Sequence, residues 1–233
     1  MQEERQPLEY EIEELANQDS WRMFRIIGEF VEGFDALANV EPAVTIYGSA
    51  RDLKPEHPLY VKTEEIAFRL ARQGFSIVTG GGPGTMEAAN KGAIRGEARS
   101  IGLNIKLPQE QKSNEFTTTS LNFRYFFVRK VMLVKYASAF IFMPGGLGTI
   151  DELTEVLTLR QTHKIKPFPA ILVDSSYWNG LLEWMRNTIL AEGFISEEDL
   201  NLLRVCDTVD ETVDAVRMWH HKRELGGKKA VSR

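Results

Sequence analysis

From Ala43 onward, short apolar runs alternate with helix-period segments, and that alternation points to a parallel sheet whose strands are joined by crossover helices. The apolar runs cover residues 43–47, 75–79, 100–107, 139–143, 170–173 and 203–206. Helical patterns cover residues 59–73, 86–95, 123–136, 150–163, 177–191 and 207–223. Pro58 opens the first helix and Gly74 stops it. Six such strands predict an α/β fold of the Rossmann-like doubly wound type, a mainly parallel sheet with helices on both faces. In the order 3-2-1-4-5-6 the ligand crevice opens beyond the carboxyl ends of strands one and four. Their following loops are Gly48-Ser49-Ala50-Arg51 and Pro144 to Thr149.

Ahead of the first strand, Trp21, Phe24, Ile27, Val31, Phe34 and Leu37 recur every three or four residues and make one apolar helix face. Such a face packs on something; a cover over the chain's own sheet is favoured over a subunit neighbour. The expected organisation is an N-terminal helical extension (1–40), a single Rossmann-like domain (41–225) and a flexible basic tail (226–233). With 233 residues, 43% of them hydrophobic, the chain suits one sizeable domain rather than two.

A net charge of -5 argues against a general grip on nucleic acid, which needs clustered Lys and Arg. The lone Cys206 excludes an intrachain disulfide and a Cys-rich zinc site, and it fits a reducing cytoplasm. The start Met1-Gln2-Glu3-Glu4-Arg5 lacks the basic-then-apolar pattern of a signal peptide, and no apolar run approaches the ~20 residues that span a bilayer. A membrane partner is not expected.

Two segments rhyme, Thr79-Gly80-Gly81-Gly82-Pro83-Gly84-Thr85 and Met143-Pro144-Gly145-Gly146-Leu147-Gly148-Thr149. Each joins a strand to a helix, where glycines admit close approach and open amides favour an anion such as phosphate. Their simpler reading is a pair of tight turns. Neither ends in the Gly-Lys-Ser/Thr of a P-loop, and the first strand is not followed by GxGxxG, so a bound dinucleotide is disfavoured.

Asp151 and Glu152 open the helix after the second turn, with Glu155 three residues on. Acids there suit the helix dipole, yet beside a phosphate seat they repel the ligand unless they serve chemistry or bind hydroxyls. Arg129 and Lys130 sit in the apolar stretch Phe126-Phe127-Val128-Arg129-Lys130-Val131-Met132. They either reach the pocket beside Glu152 or snorkel to solvent. The four histidines show no metal-ligand spacing, and no G-x-S-x-G elbow is present.

Taken together, Pro144-Gly145-Gly146-Leu147-Gly148-Thr149-Ile150-Asp151-Glu152 and the upstream Arg129-Lys130 resemble the signature of the LOG (Lonely Guy) family, PGGxGTxxE with an Arg-Lys pair. Those enzymes are cytokinin riboside 5'-monophosphate phosphoribohydrolases, often labelled possible lysine decarboxylases. Tyr47-Gly48-Ser49-Ala50-Arg51, Gly80 to Gly84, Asn104 with Leu107-Pro108-Gln109-Glu110-Gln111, and Thr154 to Thr158 also resemble bacterial members, so the likeness spans about residues 43–195.

The resemblance implies Arg129 and Glu152 as the catalytic pair. It implies Lys130, Gly146, Leu147, Gly148, Thr149, Ile150, Asp151 and Thr158 as nucleotide contacts. Gly48, Ser49, Gly81, Gly82, Asn104, Glu110 and Gly145 complete the expected substrate-binding set. It further implies a nucleoside 5'-monophosphate cleaved at its N-glycosidic bond, no metal or organic cofactor, and a homodimer or higher even homo-oligomer. Asp151 stands where many members have Glu, and the region before Glu41 is longer than in compact plant members. A Schiff-base lysine with an acid for a pyridoxal ring, which amino-acid decarboxylation needs, is not identifiable. Two rival readings are a carrier of a phosphorylated pterin such as the molybdenum cofactor, and an interaction protein recruiting a partner through its N-terminal aromatic face.

Overall fold

Ala-Val-Thr-Ile-Tyr and Ala-Ser-Ala-Phe-Ile-Phe become the adjacent central strands β1 (Ala43–Tyr47) and β5 (Ala137–Phe142), and every residue in both is buried. Runs without an exposed face belong to strands covered on both sides. The structure, a computed structural model, describes residues 19–51, 53–107 and 113–230, with side chains from Trp21 to His221. Strands β2 (Ser76–Thr79), β3 (Ser100–Ile105), β4 (Thr119–Phe123), β6 (Ala170–Val173) and β7 (Leu203–Cys206) complete one sheet in the order β4-β3-β2-β1-β5-β6-β7. Every pairing is parallel.

The helices are α1 (Asp19–Leu37), α2 (Pro58–Arg72), α3 (Thr85–Arg95), α4 (Phe126–Lys135), α5 (Leu147–Gln161), α6 (Ser175–Trp184), α7 (Glu197–Leu200) and α8 (Val209–Ala230). A π-helical turn, Met185–Leu190, extends α6. Alternate strand residues feed two cores. Tyr47, Phe123, Phe140 and Phe142 meet Met132 of α4, Leu153 of α5 and Trp178 of α6 on one face. Ile46, Ile77 and Ile141 meet Ile66 and Leu70 of α2 and Val216 of α8 on the other. The doubly wound α/β architecture expected from the alternation is therefore the one observed.

Three expectations need correction. The sheet has seven strands, because Thr-Ser-Leu-Asn-Phe adds an edge strand outside β3. Only Leu121 and Phe123 are buried in it, so its two-residue periodicity is carried by few apolar residues and reads as loop. The single helical pattern over 177–191 is α6 with a π turn, and the short α7 follows.

The third correction concerns α1. Its stripe of Trp21, Phe24, Ile27, Val31 and Phe34 does not cover the sheet: Trp21 is 71% exposed and Phe24 68%. The packed face is a different one. Ile26, Phe30 and Leu37 join the core shared with α4, and Gly33 has Met132 where a Cβ would stand. Leu37 alone of the expected stripe is buried.

At the other end, α8 continues through Gly226-Gly227 to Ala230. Among the described residues no helix is long and apolar enough to cross a membrane.

Candidate active site

Where β1, β2 and β5 end, three loops lock together, and glycines make the contact possible. The Ser49 amide donates to the Pro144 carbonyl (3.1 Å), and the Thr85 amide donates to the Ser49 carbonyl (3.1 Å). A Cβ on Gly48 would strike the Thr85 side chain, one on Gly145 the Thr149 side chain, and one on Gly84 the carbonyl oxygens of Arg51 and Ser49. The Ser49 hydroxyl is occupied locally, accepting from the Arg51 amide (3.1 Å).

The two rhyming turns are thus not equivalent. The start of α3 is buried and its first amide is taken by Ser49. The start of α5 is open. Gly146 is its N-cap without a side-chain bond, and Gly146, Leu147 and Gly148 are exposed. Thr149 is buried behind them, and the Thr149 and Ile150 amides both donate to the Gly146 carbonyl. Open amides at the positive end of a 15-residue helix are chemically suited to an anion.

The turn at Gly80 to Gly84 serves a different purpose. Gly81, in the left-handed region at φ +73, has Asn104 where a Cβ would lie. Its amide donates to the Thr79 hydroxyl (3.0 Å) and its carbonyl accepts from the Asn114 amide (2.9 Å). The Asn114 side chain donates to the Gly82 carbonyl and to Asn90 Oδ1, each at 3.0 Å, while Thr79 donates to the same oxygen (2.6 Å). A satisfied polar network of this kind rigidifies what it holds. Asn104 is itself committed, donating to Ser120 Oγ (2.9 Å) and the Leu121 carbonyl (3.3 Å), so its amide ties β3 to β4.

Arg129 extends from α4 toward this turn. Its Nε donates to the Leu103 carbonyl (2.7 Å), and its guanidinium lies over Gly80, filling the place a Cβ would take. Burial pulls its pKa down, against the opposing pull of Glu152. Glu152, on the inner side of the first turns of α5, is pushed up to about 7 by burial, with Arg129 and Lys130 pulling it down. Arg129 and Glu152 sense each other's charge without a direct hydrogen bond among the described residues, which leaves both free to engage a ligand.

Lys130 turns the other way, to Asp151 (2.7 Å) and Glu155 (3.3 Å). Partial burial would lower its pKa, but these two carboxylates outweigh that and hold it above the ordinary lysine value. Tyr47 stacks on Phe142 (centroids 4.9 Å apart), and burial, with Glu152 and Glu155 nearby, holds its phenol protonated.

Two clefts flank this cluster. A polar one of about 330 Å³ is lined by Gly80, Gly82, Asn104, Lys106, Ser113 and Asn122 among others. A second, of about 440 Å³, runs between α4 and α5 from Lys130 and Glu155 over Val131, Val134, Leu159 and Phe168.

Of the residues singled out in the sequence, the fold gathers Gly48, Ser49, Gly145, Gly146, Leu147, Gly148, Thr149 and Ile150 at one seat, with Arg129, Lys130, Asp151 and Glu152 beside it. Gly81 and Gly82 shape the neighbouring turn. Thr158 is set apart: it lies six residues, about 9 Å, further along α5 than Glu152, and its hydroxyl donates to the Thr154 carbonyl (2.8 Å). Glu110 falls outside the described residues. Sequence reasoning passed over Tyr177, whose hydroxyl donates to the Gly145 carbonyl from α6, and the buried Asn90 and Asn114. Asn90 did carry a signal, a lone amide on the buried face of α3.

A doubly wound α/β sheet with an open helix start and a half-buried Arg/Glu pair at its carboxyl edge defines a Rossmann-like protein with a charged cleft there. Residues 86–216 match the family model described as possible lysine decarboxylase. The chain is 30% identical to the cytokinin riboside 5'-monophosphate phosphoribohydrolase LOG of Oryza sativa subsp. japonica, over 70% of this chain and 67% of that one. To the cytokinin riboside 5'-monophosphate phosphoribohydrolase of Mycobacterium tuberculosis it is 28% identical, over 74% and 91%. Among solved structures it is similar to the molybdenum cofactor carrier protein of Chlamydomonas reinhardtii (TM-score 0.56, 20% identity, covering 77% of this chain and 98% of that one), a likeness of fold alone. The chain belongs to the LOG family.

Proposed function

We propose that the protein hydrolyses the N-glycosidic bond of a nucleoside 5'-monophosphate, releasing the base, plain or prenylated adenine, and ribose 5-phosphate. The observation that carries this reading is the open start of α5, with Glu152 in the same helix's first turns and Arg129 close enough for the two charges to act on each other. The 5'-phosphate sits on the amides of Gly146, Leu147 and Gly148. The ribose then lies over Glu152, and the base extends past Arg129 into the polar cleft beside Gly80. Gly48 and Gly145 hold the seat's shape, while Lys130 and Asp151 border it.

Departure of the base builds positive charge on C1', and the ionised Glu152 carboxylate stabilises that charge and takes a proton from the attacking water. The C1'–N bond breaks with its electron pair on the base, water oxygen bonds to C1', and the base takes a proton from solvent while Glu152 returns to solvent the one it accepted. Arg129 remains charged, so it acts as a positive partner to the departing base and not as the proton donor. An amino-acid decarboxylase does not fit the residues. A Schiff-base lysine needs a depressed pKa, whereas Lys130, set among the acids, is held protonated by Asp151 and Glu155.

Around this site we place a single domain over residues 41–225 with its N-terminal helical extension, working in the cytoplasm as an even homo-oligomer. The buried free thiol of Cys206 suits a reducing compartment.

The test is base release from AMP and from isopentenyladenosine monophosphate, followed by chromatography. Glu152→Gln and Arg129→Ala are each expected to lower kcat about a hundredfold or more. Full activity in Glu152→Gln, or tight nucleotide binding without base release by the wild type, overturns the reading; the latter outcome supports a carrier.

A further inference from the structure

The two clefts that flank the Arg129 and Glu152 cluster differ in the chemistry of their walls. Between α4 and α5 the floor is apolar, formed by Val131, Val134, Leu159 and Phe168. Beside Gly80 the wall is polar, for a reason that lies in the edge pair β3–β4. Leu103, Leu121 and Phe123 turn into the first core, so the alternate residues face the other way. Those are Ser100, Gly102, Asn104, Ser120 and Asn122, none of which carries an apolar side chain. Asn104 and Asn122 are register partners near the carboxyl ends of the two strands and stand side by side on the wall of the cleft.

The chain leaves much of the hydrogen-bonding capacity of this wall open. Asn104 commits its amide hydrogens to Ser120 Oγ and the Leu121 carbonyl. Among the described residues its Oδ1 receives no donor, and the missing Cβ of Gly81 gives that oxygen room. Asn122, Lys106 and Ser113 are exposed on the cleft, and among the described residues their side chains make no hydrogen bond or ion pair. The wall therefore offers amide oxygens as acceptors, with an amide nitrogen, an ammonium and a hydroxyl as donors. An unsubstituted 6-aminopurine answers both kinds, through its two N6 hydrogens and its ring-nitrogen acceptors. Ile105 and Leu107 line the same cleft and supply apolar surface for the ring itself. A prenyl group on N6 removes one of the two hydrogens and lays a hydrocarbon chain over polar groups, displacing their water without replacing its hydrogen bonds.

We propose that this wall makes the protein selective for a nucleotide whose 6-aminopurine is unalkylated, with Asn122 and Lys106 as the specificity-determining side chains. The inference rests on the hydrolase reading for the direction of the base, past Arg129 from a phosphate on the start of α5. A prenylated base would find its apolar receptor in the other cleft, between α4 and α5, so each substrate class is tied to a different wall.

The experiment compares kcat/KM for AMP and for its N6-isopentenyl counterpart. The wild type should favour AMP about tenfold or more, and Asn122→Leu and Lys106→Met should each move that ratio about tenfold toward the prenylated substrate. Both positions are exposed, so the two variants should melt with the wild type. Val131→Asn, in the apolar cleft, should leave the ratio unchanged. A wild type that does not favour AMP, or a ratio indifferent to both polar-cleft variants, overturns the proposal. So does loss of the prenylated substrate alone in Val131→Asn, which would put its hydrocarbon chain between α4 and α5. Titration calorimetry of Glu152→Gln with the two nucleotides reads the same preference as a ratio of Kd values without turnover. Preferential binding of AMP with no base release by the wild type would therefore overturn the hydrolase reading and leave the selectivity of the cleft standing.

Discussion

Glu152 combines the family motif's carboxylate with an environment that resists its ionisation. Its folded pKa stands near 7 against 4.5 for an ordinary glutamate, with burial the main cause. If the ionised form is the working one, kcat/KM should rise with pH and level off above about 7, which a pH profile checks. The same shift bears on stability. Between pH 4.5 and 7 the native chain keeps a proton that the unfolded chain releases, so this group's contribution falls as pH rises and is least favourable above pH 7. Glu152→Gln mimics the protonated form and should be more stable than wild type at pH 8, by on the order of 2 kcal/mol, with no gain at pH 4. Thermal melts at the two pH values decide it.

Gly80 offers a second test at this scale. A methyl there displaces the flexible end of Arg129 and not backbone, so Gly80→Ala should fold normally yet lose about ten- to a hundredfold in kcat. The motif made Arg129 and Glu152 legible in the sequence, because spacing along one helix and one signature names both. Asn114 was not legible as a neighbour of the site, and Asn90 only as a lone amide on α3: the two meet through a side-chain contact between a loop and a helix distant in the chain, which a run of residues does not record.

Between elements, the site depends on props that come from far along the chain. Glu29 of α1 accepts the amides of Arg124 and Tyr125, where the chain enters α4, and α4 carries Arg129 and Lys130. From the opposite side, Tyr177 of α6 donates its hydroxyl to Gly145 in the glycine turn. Tyr177→Phe removes that tie and keeps the ring against Trp178. Its expected effect is a severalfold rise in KM for a monophosphate, with kcat changed less, if the tie's task is to shape the phosphate seat. Steady-state kinetics with AMP would show it, and a fall in kcat at constant KM would place the tie's effect on the chemical step. The helices were legible by their period, and the buried strands as short unbroken apolar runs between them. β4 was not, since an edge strand with two buried residues barely departs from loop composition. The outward stripe of α1 was legible as an apolar face, but its direction was not, because α1 carries apolar residues on both sides and the period alone does not say which side meets the sheet.

At the scale of the whole chain, the expected extension before Glu41 is built into the first core: Leu37 and Val40 are each 1% exposed. A chain beginning at Glu41 uncovers Met132 and its neighbours on α4. At roughly 1.5–3 kcal/mol for each fully buried aliphatic side chain lost, it should melt at least several degrees lower than the full chain. Calorimetry of the two proteins would measure the difference, and equal melting temperatures would make residues 1–40 a true appendage. The alternating runs implied a doubly wound sheet, and the order common to that class is the one found, apart from the added edge strand that had no clear run.

The β1 to β5 pairing has a bearing on how the protein is made. The chain writes β1 through β4 first, and a ribosome must add all of them and α4 before β5 exists to close the sheet's middle. Until then the nascent chain presents β1 as an open, largely apolar rim, the kind of edge that pairs with neighbouring strands. The amino-terminal half is therefore the aggregation-prone stage of biosynthesis. The loops of Gly48 and Gly145, which meet beside the cleft, come together only once that rim is sealed.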